Sequence, residues 1–194
     1  MNFNHITNIV NGIRRYYPVS DLSINVLIKH LTLHQLPKHH FLTEVGHKDR
    51  NAYFIEKGCT RTYLLIDRKE VTNWFSVEGD FTFSSNSLYH QTQGFEYVEL
   101  LEESVIYSIP IPVLNRLYET NIEIANWGRV IHQEVLLRMQ SLRIERLSLT
   151  AKERYERFII GNPGLINRVN LGFIASYLGM TQQYLSTLRA EIRF

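Results

Sequence analysis

The chain has 194 residues, 44% hydrophobic and 21% charged, with a formal net charge of +2. That composition belongs to an ordinary soluble globular protein, and no apolar run approaches the ~20 residues that a bilayer-crossing helix needs. The single cysteine, Cys59, excludes an internal disulfide and a multi-thiolate zinc or iron–sulfur centre, so a reducing cytoplasm is the expected setting. The opening residues Met1-Asn2-Phe3-Asn4-His5 lack the basic region and apolar core of a secretory signal.

Residues 3–36 have helical spacing. Ile6, Ile9, Val10 and Ile13 form one apolar stripe, and Leu22, Ile24, Leu27, Ile28 and Leu31 form a second. Pro18 and Ser20-Asp21 separate them, with Ser20 or Asp21 expected as the cap of the second helix. From Leu36 to about Pro110 the period changes. Residues 52–56, 60–66, 70–76, 95–101 and 104–109 are rich in β-branched and aromatic side chains, with turn signals at Glu56-Lys57-Gly58, Asp67-Arg68-Lys69 and Glu78-Gly79-Asp80. Short strands at this spacing predict a small antiparallel sandwich or roll, with Cys59 as a strand residue.

Pro110 and Pro112 end the β region, and Pro112–Tyr118 reads as a short helix. A long helix follows over about 122–147, nearly 40 Å at ~1.5 Å per residue. Along it Gly128, Ile131, Val135, Met139 and Leu142 mark a face for a symmetric partner helix, while Trp127, Val130 and Leu137 add apolar surface elsewhere. A long helix buried within one chain is the alternative. Thr150-Ala151-Lys152-Glu153 is a capping box that starts another helix, stopped by Gly161-Asn162-Pro163-Gly164.

Residues 170–189 then read as two short helices joined by a tight turn, the helix-turn-helix that enters the DNA major groove. Ala175 is small where the helices cross, and Gly179 suits the positive φ of the turn. Ile174, Leu178, Met180, Leu185 and Leu188 hold the helices together, while Thr181 is placed as the cap of the second. Thr181, Gln182, Gln183, Tyr184, Ser186, Thr187 and Arg189 are the expected DNA-contacting residues. Gln182 and Gln183 suit adenine N6/N7, so adenine or thymine is expected at the positions they face. Thr181 and Tyr184 are placed for phosphates. The charge distribution agrees: residues 1–137 hold 12 Lys/Arg and 15 Asp/Glu, whereas 138–194 hold 9 and 4. Arg138, Arg143, Arg146, Lys152, Arg154, Arg157 and Arg168 either neutralise backbone phosphates or lie on a solvated helix face.

The order of β-roll, long helix, capped helix and helix-turn-helix resembles the Crp/Fnr family of bacterial transcription regulators. The resemblance is carried by Tyr53-Phe54-Ile55-Glu56-Lys57-Gly58 with Glu70-Val71-Thr72-Asn73-Trp74-Phe75, and by the helix-turn-helix. It implies an α+β fold with an N-terminal antiparallel β-roll of the cyclic-nucleotide-binding type over 1–112. A short helix and a long dimerisation helix would follow over 113–147, then a C-terminal, winged helix-turn-helix domain over 148–194. It also implies a homodimer on double-stranded DNA, and it allows RNA polymerase and a small-molecule effector as partners. The chain departs from the family pattern in two places. Nucleotide-binding members carry a glutamate and an arginine in the cassette matching Gly79–Gly94, and this stretch has no Lys or Arg. A buried cyclic phosphate without a cation is costly, so cAMP is not the expected effector. Arg61, Trp74, Ser84, Ser85, Ser87, Tyr89 and His90 either line a pocket for another molecule or belong to a solvated surface helix. The second departure is at Gln183 and Thr187, where many members present glutamate and arginine. With the sequence ending at Phe194, any wing is expected around Gly161–Asn170 or to be minimal, with fewer phosphate contacts.

No catalytic constellation emerges, and neither a cofactor nor a metal site is expected. His34, His39, His40, His47 and His90 do not form a His-x-His pair with a following glutamate. Two readings of the whole remain: a homodimeric DNA-binding regulator, or a small-molecule-binding or interaction module whose degenerate helix-turn-helix no longer binds DNA.

Overall fold

The computed structural model describes residues 3–191; the last three residues of the expected DNA-binding segment lie outside that range. The chain begins with two helices, α1 (Thr7–Tyr16) and α2 (Asp21–Ile28), followed by strands β1 (Thr32–Leu36), β2 (Phe41–Thr43), β3 (Asn51–Lys57), β4 (Thr60–Ile66), β5 (Lys69–Ser76) and β6 (Phe81–Thr82). Then come α3 (Ser85–His90), β7 (Tyr97–Leu100), β8 (Ser104–Pro110), α4 (Ile111–Thr120), α5 (Ile122–Ser148), α6 (Ala151–Gly161), α7 (Leu171–Leu178) and α8 (Gln182–Glu191). The strands form two sheets, ordered β1-β8-β3-β6 and β2-β7-β4-β5. The β1–β8, β3–β8, β3–β6 and β2–β7 pairs are antiparallel. Leu42, Val98 and Leu100 of one sheet meet Ile55 and Ile106 of the other in a buried cluster, which is how alternating strands close a roll.

The expected α+β architecture is present, with local corrections. Thr32–Leu36 is a strand where the spacing suggested helix: it pairs in register from Thr32↔Ser108 to Leu36↔Ser104. Pairing with a distant strand overrode a short apolar stripe there. Cys59 is fully buried, but it sits with Gly58 in the turn between β3 and β4 rather than in a strand. Beyond β8 the described chain contains no strand, and residues 162–170 are mostly turn, so no hairpin wing is formed among the described residues.

Two compact units divide the chain: Met1–Thr62 with Phe75–Glu134, and Tyr63–Trp74 with Val135–Phe194. The division falls inside α5 rather than at either of its ends. In the first unit, α1 is fastened to the roll by Glu56, whose carboxylate accepts from the Asn8 and Ile9 amides at 3.2 and 3.1 Å. These are first-turn N–H groups with no partner inside the helix. Backbone meets backbone beside them: a Cβ on Gly12 would lie 1.9 Å from the Gly79 carbonyl oxygen, and Gly79 itself has φ +82°. Ser20 caps α2 as expected, accepting from the Ser23 amide at 3.3 Å. Trp127 of α5 is buried against Phe54 and Phe81, with ring centroids at 5.7 and 5.5 Å.

Candidate nucleic-acid interface and cassette

The helix pair is built by local rules. Asn170 opens α7, its side-chain oxygen accepting from the Gly172 amide at 2.7 Å. At the other end Gly179 takes φ +69°. Its amide donates to Ser176 O at 3.1 Å and the Met180 amide to Ala175 O at 3.0 Å, which is the Schellman closure of a helix. A Cβ at Gly179 would meet nothing within 4 Å, so glycine is needed there for conformation rather than space. Thr181 Oγ1 accepts from the Tyr184 amide at 3.2 Å and caps α8. Ile174, Ala175, Leu178, Leu185 and Leu188 are buried, and Met180 is half-buried. Gln182, Gln183, Tyr184, Ser186, Thr187 and Arg189 are all exposed, together with Thr181. The Thr187 hydroxyl donates back to Gln183 O at 3.2 Å, so its methyl and its lone pairs are what it offers outward.

Several basic residues expected at phosphates are engaged elsewhere. Arg146 donates to Tyr177 O at 2.7 Å, and Arg154 donates to Leu178 O at 3.1 Å and Leu149 O at 2.8 Å. Cations on the last carbonyls of a helix offset its dipole and hold its end. Arg138 and Arg157 lie 4.0 and 3.5 Å from the Glu145 carboxylate. Arg168 is half-buried, while Arg143 and Lys152 are exposed. Periodicity alone did not reveal the two arginine clamps, because their partners lie 24 and 31 residues away in sequence.

On α5 the expected partner face splits in two. Gly128 lies under the Tyr118 ring, where a Cβ would come within 2.6 Å of Cε1, and Ile131 is buried. Both positions are covered by the protomer itself. Val135 and Leu142 are half-buried, and Met139 is exposed with Leu136, Leu137, Ile144 and Leu147. The free apolar surface therefore lies on the second half of the helix, toward its C-terminus.

In the cassette, Ser84 and Ser87 are buried, Ser85 is half-buried, and Tyr89 and His90 are exposed. Ser87 is satisfied, accepting from the Asp49 amide at 3.0 Å and donating to Thr92 O at 3.1 Å. Ser84 Oγ is buried without a hydrogen-bond partner, against Gly94, where a Cβ would lie 2.7 Å away. Arg61 is buried on β4, and Trp74 is half-buried on β5 in the other compact unit. Phe83, Tyr89 and His132 pack on one another with centroids 5.5–5.9 Å apart. Sequence reading missed Glu96. It is buried, and its Oε1 accepts from the Ser85 amide at 2.6 Å. The alternation Glu96, Val98, Leu100 points it inward and was the available signal. Among the described residues no group of three or more His, Cys, Asp or Glu is placed to hold a metal ion.

No protein-family model matches the chain, and no curated protein sequence matches it. Solved structures do match. The c-di-GMP-responsive global regulator CLP of Xanthomonas campestris superposes at TM-score 0.73 and 14% identity, over 89% of this chain and 91% of that one. FixK2 of Bradyrhizobium japonicum gives 0.69 at 18%, over 84% of each chain. A transcriptional regulator described as of the Crp/Fnr family, from Eubacterium rectale, gives 0.69 at 15%, over 91% and 87%.

The chain has the Crp/Fnr fold. Within that fold, α3 belongs to the stretch Gly79–Gly94 that carries no Lys or Arg, and α7–α8 is the helix-turn-helix. No helix among the described residues is long and apolar enough to cross a membrane.

Proposed function

We propose that the protein is a transcriptional regulator of Crp/Fnr type, not an enzyme, which binds double-stranded DNA in the bacterial cytoplasm as a homodimer. The observation that carries this is α8: a helix closed against α7 by the Gly179 turn and the Thr181 cap, with an exposed polar row from Gln182 to Arg189. Such a row on the second helix of the pair is the geometry that reads base edges. The exposed stripe Leu136, Leu137, Met139, Ile144 and Leu147 supports a second copy as the partner of α5. A gel shift on the DNA upstream of its own gene, repeated across a salt series, tests the reading. Binding that weakens as salt rises is the expected result; no shift at low salt overturns it.

The β-roll supports an effector unit that does not take up a cyclic nucleotide in the usual way. The cassette has no cation, and the buried Glu96 carboxylate already occupies the Ser85 amide. A phosphate brought there would meet a like charge in a site of low dielectric. Titration calorimetry with cAMP and cGMP should show no heat of binding at micromolar concentrations; micromolar affinity for either would refute the reading.

A further inference from the structure

The two glutamines at the start of α8 are not equivalent. A Cβ built on Gly172 would lie 2.7 Å from Gln182 Oε1 and 3.2 Å from Asn170 Oδ1. The Gln182 carboxamide is therefore laid back over the first turn of α7, beside its cap, in space that only a glycine at 172 leaves open. Gln183 is exposed, and among the described residues its side chain has no hydrogen-bond partner. Leu171, Gln182, Gln183 and Ser186 together surround a concavity of about 460 Å³. None of the four is charged, in a segment that is otherwise basic.

That chemistry selects among base edges. Guanine offers two acceptors, O6 and N7, which call for a fork of donors such as arginine. Adenine offers one acceptor and one donor, N7 and N6, which a single carboxamide satisfies in a bidentate pair. Thymine adds a methyl group, which needs an apolar contact. Among the described residues around the concavity Leu171 is the one apolar side chain, and it comes from α7 rather than from the recognition helix.

Building on the DNA-binding reading, we infer that this concavity is a socket for an adenine–thymine step. Gln183 pairs with adenine N6/N7, and Leu171 with Ser186 receives the methyl of a thymine beside that adenine in the major groove. Gln182 forms the wall of the socket and reads no base. Leu171 is thus a specificity-determining residue on the helix that is not expected to read.

The test is selection of sites from a random duplex pool by the full chain, followed by base replacement in the selected site. An enriched half-site should contain adenine next to thymine. Replacing that thymine by uracil removes only the methyl and should weaken binding about fourfold, the worth of one buried methyl-sized group. Leu171→Ala should erase the thymine–uracil difference while keeping the adenine preference. Gln183→Ala should relax the adenine position about tenfold. A pool that shows no enrichment overturns DNA binding itself. Enrichment of guanine–cytosine at this step, or equal affinity for thymine and uracil, leaves DNA binding standing and overturns the socket.

Discussion

Ser176 on α7 grips the backbone of β5: its Oγ accepts from the Thr72 amide at 2.9 Å and donates to Glu70 O at 3.2 Å. β5 is the outer strand of its sheet, and the outer edge of such a strand presents N–H and C=O groups that no neighbouring strand pairs. One hydroxyl, a donor and an acceptor at once, serves both. The first helix of the helix-turn-helix is thereby tied to the β4–β5 hairpin. Ser176→Ala should raise the hydrogen-exchange rate of the Thr72 amide about fivefold, in line with a loss of ~1 kcal/mol for a hydrogen bond. Unchanged protection at Thr72 would show that the hairpin is held by something else.

The clamp on the next residue of the same helix is charged. Arg146→Met keeps most of the stem of the side chain and removes the donor to Tyr177 O. Arg146 is solvent-exposed, so the expected cost is about 1 kcal/mol, or a fall in melting temperature of roughly 2–4 °C. Thermal unfolding followed by circular dichroism checks it, and Arg146→Lys should recover part of the loss.

The two halves of α5 should respond differently to substitution. Leu137→Glu, on the exposed stripe, should shift the protein toward monomer in sedimentation equilibrium with little change in protomer stability. Ile131→Ala, in the buried part, should lower stability by about 2–4 kcal/mol through the cavity it leaves. A dimer that survives Leu137→Glu and Leu147→Glu together would place the subunit contact elsewhere.

The start of α6 should report pH. The Glu153 carboxylate accepts from the Thr150 amide and hydroxyl, each at 2.8 Å, and these bonds hold its pKa below the ordinary 4.5. A group depressed in the folded state stabilises fully above its unfolded pKa and loses that contribution as pH falls through the folded value. Acid titration of helicity should therefore show a component below pH 4.5 that Glu153→Gln removes and that is only reduced by Thr150→Ala, which keeps the backbone amide donor. At neutral pH Thr150→Ala should cost about 1 kcal/mol as a lost cap. An acid limb identical in Glu153→Gln would assign it to other carboxylates.

How far the sequence could be read follows the range of the interactions involved. The Thr150–Glu153 box, the Gly179 turn, the Thr181 cap and the Ser20 cap are closed by neighbours within a few residues, and each was legible. Strand β1 was not, because Thr32–Leu36 becomes a strand only by pairing with Ser104–Ser108. Nor were the arginine clamps on Tyr177 and Leu178, or the Glu96–Ser85 bond, whose partners are remote in sequence or buried. At α5 the apolar pattern was visible. Which part of it the protomer covers depends on Tyr118, an aromatic ring from the preceding helix lying over Gly128.

The backbone contact between Gly12 and Gly79 makes two positions 67 residues apart a single unit of variation. A side chain at 12 collides with the main chain of 79, and no rotamer change relieves that, since the obstacle is a carbonyl oxygen. Homologous chains should therefore show glycine at both places or dock the first helix at another spot on the roll. Any redesign of the N-terminal helix has to treat the turn before β6 as part of the same element.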